Sequence, residues 1–114
     1  MEARAIQRYI GSSPRKMRLL VDLIRGMSVE KAIEVLHFSP KHASKDAERA
    51  IRSAFSNLLN VDDSTRHDPA DVFIKEAYVN QGPTLKRISP APMGRAFRVR
   101  KRSCHLTVVV TTKE

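Results

Sequence analysis

Residues 82–102, GPTLKRISPAPMGRAFRVRKR, contain seven Lys or Arg and no Asp or Glu. The chemistry open to such a set is recognition of a polyanion. A guanidinium presents a planar fork of donors to phosphate and stacks on bases, and here Arg outnumbers Lys by five to two. Groups that make or break covalent bonds are harder to assemble. His37, His42, His67 and His105 share no metal-ligand or catalytic spacing, so surface or packing roles are expected for them. Cys104 is the only cysteine; it cannot form an internal disulfide, and no His–carboxylate constellation stands near it in sequence to activate it. A packed strand residue in a reducing compartment fits it best. The acids are scattered or fall in the polar stretch containing Asp62 and Asp63. No catalytic residue, metal or cofactor is expected, and the chain does not read as an enzyme.

The distribution of charge says more than its total. The 114 residues hold 21 Lys+Arg and 12 Asp+Glu, a formal charge of +9. Eight of those cations and none of the acids lie between Ala77 and Lys113, which leaves 13 cations against 12 acids elsewhere. The pattern is a nearly neutral body with a cationic arm. Within the body, Arg4, Arg8, Arg15, Lys16 and Arg18 face only Glu2 over the first eighteen residues, which marks a second basic patch. Fields of this kind draw anionic partners. There is no secretory leader pattern and no apolar run of about 18 residues, so neither secretion nor a membrane partner is expected.

The elements that must position these cations can be placed by their punctuation. SSPRKMRLLVDLIRG offers Ser13 as an N-cap, Pro14 at the first helical position and Gly26 as a left-handed stop, with Met17, Leu20, Val21 and Leu23 or Ile24 near one face. SVEKAIEVLHF gives a short helix capped by Ser28, with Val29, Ala32, Ile33 and Leu36 at apolar spacing. A third helix is predicted to begin with Ser39 and Pro40 and to bury Ala43, Ala47, Ala50, Ile51, Ala54, Phe55 and Leu58. NVDDSTRHDPAD then reads as a surface loop. VFIKEAYVN and CHLTVVVTT read as strands, and EARAIQRYI supplies a third. The expected fold is α+β: three helices packed on a small three-stranded antiparallel sheet, with a long protruding β-hairpin. One domain, 1–114, is expected, divided into a globular body (1–81 and 103–114) and an extended basic hairpin (82–102).

The arm is too long for a tight hairpin turn. If the strands continue beyond the sheet, each arm of ten or so residues reaches about 30 Å. An isolated two-stranded ribbon is marginal in water, and like charges weaken it further. Leu85, Ile88, Met93, Phe97 and Val99 are interleaved with the charges rather than gathered on one side, so the partner must surround the ribbon. Folded RNA offers phosphates on several sides of a crevice, whereas duplex DNA or a bilayer offers one surface. The residues expected to bind RNA are Arg4, Arg8, Arg15, Lys16, Arg18, Lys86, Arg87, Arg95, Arg98, Arg100, Lys101 and Arg102.

Three ordered stretches, SPRKMRLLVDLIRG, GPTLKRISPAPMGRA and KRSCHLTVVV, resemble the L twenty-two family of large-subunit ribosomal proteins over nearly the whole chain. The resemblance implies an α+β body at the outer surface of the large ribosomal subunit near the tunnel exit, in the cytoplasm. It also implies a hairpin that runs into 23S-type rRNA and supports subunit assembly by touching several rRNA domains. Ser89, Pro90, Ala91, Pro92, Met93, Gly94 and Arg95 fall at the family's hairpin tip, which lines the polypeptide exit tunnel. The implied partners are therefore rRNA, neighbouring ribosomal proteins and the nascent polypeptide, without a homo-oligomer. The tip departs from the family pattern, because Ala91, Pro92 and Met93 stand where the family is more basic, and Arg95 is left as the only tip charge.

Two other readings of the same residues meet obstacles. A helix-turn-helix DNA regulator needs basic and amide residues on its recognition helix, yet the third helix is Ala-rich and its charge is balanced by Asp46 and Glu48. An RNA-processing enzyme needs a metal cluster or an acid/base pair in a cleft, and no such set stands out.

Overall fold

The computed structural model describes residues 2–61, 67–90, 92–94 and 96–112. Strand β1 (Glu2–Ile10) leads into helices α1 (Pro14–Ile24), α2 (Val29–His37) and α3 (Ser44–Val61), followed by strands β2 (Val72–Gln81), β3 (Leu85–Pro90), β4 (Ala96–Lys101) and β5 (Cys104–Thr112). A short 3-10 turn at Pro69–Asp71 precedes β2, opened by Asp68, whose carboxylate accepts from the Ala70 N–H at 3.0 Å. Of the sequence-predicted loop, residues 62–66 lie outside the described residues.

The two first helices start as their residues dictate. The Ser13 hydroxyl accepts from the Lys16 N–H with Pro14 at the first helical position, and Ser28 caps α2 through the Lys31 N–H. Gly26, at φ +86°, supplies the left-handed turn after α1. That turn is put to further use. The Gly26 N–H donates to the Ile74 carbonyl at 3.1 Å and the Ile74 N–H donates to the Met27 carbonyl at 2.9 Å, so the α1–α2 connector pairs with the outer edge of β2. An unpaired edge is thereby covered.

The third helix begins later than its residues suggested. Ser39 and Pro40 stand in a turn before it, where the Ser39 hydroxyl accepts from the Lys41 N–H at 3.3 Å, and α3 starts at Ser44. Ser44 is buried, and its hydroxyl donates to the Lys41 carbonyl at 2.6 Å. The Ser44 N–H donates to the same carbonyl at 3.2 Å, so both groups close the turn that precedes the helix, and the buried hydroxyl has its acceptor. On α1 the structure selects Ile24 for the core and leaves Leu23 exposed. Phe55 packs against the core only in part.

The main sheet has the order β1-β5-β2, antiparallel throughout. The last strand is therefore the central one, and the chain ends are joined by Glu2↔Thr111 pairing. The layer facing the helices runs across the sheet as Ala5–Val108–Ala77 and Ala3–Val110–Ile74. Ala47, Ala50, Ile51, Ala54 and Leu58 of α3 and Met17, Leu20, Val21 and Ile24 of α1 close over it, all buried. Small residues on the sheet and on α3 bring the two layers close, and the larger side chains fill the space between.

A second antiparallel sheet is formed by β3 and β4, paired from Leu85↔Lys101 to Pro90↔Ala96. The strands do not simply run on from the main sheet. Pairing there ends at Gln81↔Cys104 and resumes at Leu85↔Lys101, one residue out of step. Pro83 sits in the interruption without an N–H to give to a ladder, and an added residue on one side bends and twists the ribbon. The six paired positions span about 20 Å, shorter than arms of ten residues. The molecule as a whole measures 66 × 24 × 15 Å with a radius of gyration of 17.2 Å, against about 13 Å for a compact domain of this size.

Replacing Leu58 by Ala is expected to remove about 2–5 kcal/mol of stability in urea unfolding, because it empties a fully buried site in the body. Ile88→Ala, at a position 75% exposed on β3, is expected to change it by less than about 0.5 kcal/mol. Equal effects at the two positions would contradict a core confined to the main sheet and helices.

Candidate nucleic-acid interface

Side chains alternate across a strand pair, so the β3–β4 register sorts its cations by face. Arg87 and Lys101 lie on one face with Leu85 and Val99, and Lys86, Arg98 and Arg100 lie on the other with Ile88. Both faces are thus basic, with apolar residues between the charges. Lys86 and Arg100 are direct cross-strand partners, a like-charge pair that works against the ribbon. No ion pair to an acid involves any of the five cations among the described residues. Of the expected tip, Ala91 and Arg95 lie outside the described residues. Met93 is 97% exposed and takes φ +65°, followed by Gly94 at +73°. Two successive left-handed residues turn the chain there.

The root of the ribbon is pinned. The Gly82 N–H donates to the Ser103 carbonyl at 2.9 Å, and the Ser103 hydroxyl donates to the Pro83 carbonyl at 2.6 Å. A Cβ on residue 82 would stand 2.7 Å from the Ser103 Oγ, so glycine is what lets the two strands approach here.

The basic patch near the N-terminus does not form one surface. Arg4 is exposed on the sheet face away from the helices, in register with Val109, and Arg8 is exposed in the irregular stretch between Gln7 and Ile10. Arg15 and Lys16 are exposed on the first turn of α1, where the helix end favours anions. Arg18 has another employment: its guanidinium donates to the Val79 carbonyl at 3.2 Å and ties α1 to β2. Arg25, seven residues further on, does the same, donating to the Ala77 carbonyl at 2.7 Å while paired with Asp22 at 3.1 Å.

Tertiary packing also recruits cations that sequence reading passed over. The N-terminal turn of α1, the 39–43 turn and the ribbon root enclose a cleft of about 890 Å³ that brings Lys16 together with Arg100, Lys101 and Arg102, and adds Lys41 and His42. On α3, Lys45, Arg49 and Arg52 follow helical spacing along one stripe. Their charge looked balanced in sequence. In the fold, however, Asp46 accepts from the Gln7 amide at 3.3 Å, and Glu48 holds Arg52 at 2.8 Å and His37 at 3.6 Å. Lys45 and Arg49 are left without an ion pair among the described residues. A signal was present in the spacing itself, since residues 45, 49 and 52 share a face whereas 46 does not.

Three titrating groups are moved from their ordinary values. Hydrogen bonding from Arg52 holds the Glu48 carboxyl below its usual range; burial opposes this, and the charges of Arg52 and His37 assist it. The sign is that of a depressed carboxylate: its contribution to stability is full above about 4.5 and is lost as pH falls through the lowered value. The ion pair with Glu2 raises Lys75. Burial, with a smaller push from Asp46, raises the Cys104 thiol, against a weak opposing effect of Arg18. A thiol kept protonated is a poor nucleophile. Among the described residues no group of His, Cys, Asp and Glu is placed to hold a metal ion, and no helix is long and apolar enough to cross a membrane. Helix α3 lies with its apolar face buried on β1 and β5.

Comparison with known proteins agrees with the layout. The family model described as ribosomal protein L22p/L17e matches residues 5–111. The large ribosomal subunit protein uL22 of Chlorobium phaeobacteroides (strain BS1) is 48% identical over 112 residues, covering 98% of this chain and 96% of that protein. Its counterpart in Chlorobaculum tepidum is 46% identical over 114 residues, covering 100% and 96%.

Cys104 is expected to resist iodoacetamide at pH 8 in the folded chain and to react at least roughly tenfold faster once the chain is unfolded in urea. Equal labelling rates in the two states would contradict both its burial and its raised pKa.

Proposed function

This chain belongs to the ribosomal protein L22p/L17e family, structural and non-enzymatic constituents of the large ribosomal subunit, and on that premise we propose that β3 and β4 form a protruding hairpin enclosed by 23S-type rRNA. The observation that carries this reading is a two-stranded sheet with cations on both faces and no acid to pair them. Such a ribbon lacks a core of its own, so its ordered form is completed by phosphates approaching from both sides. Its exposed apolar residues, Leu85 and Ile88, have sugar and base faces to meet in RNA.

The chain acts as one domain in this reading, with residues 1–81 and 103–114 as body and 82–102 as hairpin. Arg87, Lys101, Lys86, Arg98 and Arg100 contact phosphates along the ribbon, with Arg102 at its root and Arg95 at its tip. Arg4, Arg8, Arg15 and Lys16 contact rRNA from the body on two different sides, which lets one protein hold several rRNA domains together during assembly. Arg18 contributes to RNA binding only secondarily, since its guanidinium already serves the Val79 carbonyl. The tip, residues 89–95, lines the polypeptide exit tunnel and meets the nascent chain. Met93, the most exposed large apolar side chain among the described residues, gives that lining an uncharged surface. The protein works as a single copy among neighbouring large-subunit proteins in the cytoplasm.

Replacing Arg98, Arg100, Lys101 and Arg102 together by Gln tests this. The seven phosphate contacts on the arm are expected to contribute about −5 to the log–log salt slope of rRNA binding, and the variant is expected to lose about 3 of that. Melting temperature should stay within a few degrees, because all four residues are exposed. Unchanged affinity and slope in filter binding would refute the proposal. In the isolated protein, the amides of 85–101 are expected to exchange faster than those of β5, since the ribbon has no core to protect it; slower exchange there would count against it.

A further inference from the structure

The cleft between the body and the ribbon root has features that contact with a helical backbone does not use. Its rim is basic on both sides, with Lys16 and Lys41 from the body and Arg100, Lys101 and Arg102 from the ribbon, and no carboxylate lines it among the described residues. Its floor is apolar, built from Leu19, Leu20 and Leu85. Leu19 is 60% and Leu85 55% exposed, so this apolar surface lies open to solvent amid the cations. At about 890 Å³ the space falls in the range of sites that enclose a small molecule, and it is concave.

Tyr9 stands at the edge of this space, 70% exposed. It takes φ +57°, a left-handed conformation that is unfavourable for a bulky residue. Two contacts hold it there. Its N–H donates to the His105 Nδ1 at 3.0 Å, and its ring meets the His105 imidazole edge to face at 5.0 Å and 89°. An exposed aromatic ring fixed in this way, beside an apolar floor and under a ring of cations, is a stacking platform.

We propose that the cleft receives an unstacked nucleotide of single-stranded RNA, its base lying against Tyr9 and the leucine floor and its phosphate held by Lys16 and Arg102. The inference rests on the RNA-binding reading above and adds a kind of RNA to it. A duplex keeps its bases inside and offers only phosphates and groove edges, which would leave the apolar floor empty. A base turned out of its stack presents an apolar face and carries its phosphate with it. An acidic peptide meets the charge but brings no flat ring for Tyr9.

The chain contains no Trp, so Tyr9→Trp introduces a single indole reporter. Titration with a six-nucleotide oligoadenylate is expected to quench its emission saturably, while a short RNA duplex, a hexaglutamate peptide and inorganic phosphate leave it unchanged. Adding Lys16→Gln and Arg102→Gln to the same variant should abolish the quenching. In the unaltered chain, the Tyr9 ring resonances should shift with the oligonucleotide and not with the duplex, which tests the site without relying on any variant. Tyr9→Leu is expected to weaken oligoadenylate binding about tenfold, and Tyr9→Phe to restore it, since stacking needs the ring and not the hydroxyl. Quenching and ring shifts that are absent, or equal with duplex or hexaglutamate, overturn the proposal. Large-subunit rRNA binding by the unaltered chain is measured alongside: if it persists in those cases, only the nucleotide site fails, and if the chain does not bind rRNA at all, the RNA-binding reading fails with it.

Discussion

Five cations on two adjacent strands, with no carboxylate among them, cannot satisfy one another. Two like charges 4 Å apart in water repel by about 1 kcal/mol, and the direct pairing of Lys86 with Arg100 builds that repulsion into the ladder. Backbone hydrogen bonds alone do not hold a two-stranded sheet firmly. The ribbon is therefore defined by what it lacks. Among the described residues it has neither a buried face nor a counter-charge.

Separation begins at the joint. Had β2 and β5 continued without interruption, the twist and repulsion of the ribbon would bear directly on the main sheet. The one-residue change of register around Pro83, with Gly82 and Ser103 locked by two hydrogen bonds, separates the two sheets mechanically. Below the joint, every stabilising feature is ordinary: buried aliphatic layers, Ser-capped helices, a central strand bonded on both sides and an edge covered by the α1–α2 connector. The buried core is thus confined to the body among the described residues, and the β3–β4 ribbon adds no residue to it.

The body's electrostatics follow the same division. Four of its acids are engaged by neighbouring side chains, Asp46 by Gln7, Glu48 by Arg52 and His37, Glu2 by Lys75 and Asp22 by Arg25. A net charge near zero over the body therefore does not describe each face, since Lys45 and Arg49 on α3 have no ion pair among the described residues. Arg18 and Arg25 run the other way, since both spend donors on β2 carbonyls and bind helix to sheet. Charge counted along a chain cannot distinguish these two kinds of arginine.

Sequence alone determined what depends on neighbours a few residues away. Ser13-Pro14 and Ser28 mark helix starts, Gly26 marks a left-handed stop, and the alternation in β5 marks its buried face, because caps, dihedrals and side-chain periodicity are local properties. The run of cations from Lys86 to Arg102 and the family resemblance were likewise readable from residues in order. The late start of α3 was not, because the 39–44 turn before it is closed by Ser44, whose burial depends on the packed core. Nor was the assembly of Tyr9, Lys16, Lys41 and Arg102 around one cleft, or the diversion of Arg18 to Val79, since those residues are far apart in sequence. Only tertiary structure decides such meetings, because which distant groups face each other is set by the register of β5 between β1 and β2 and by the closure of the helices over that sheet.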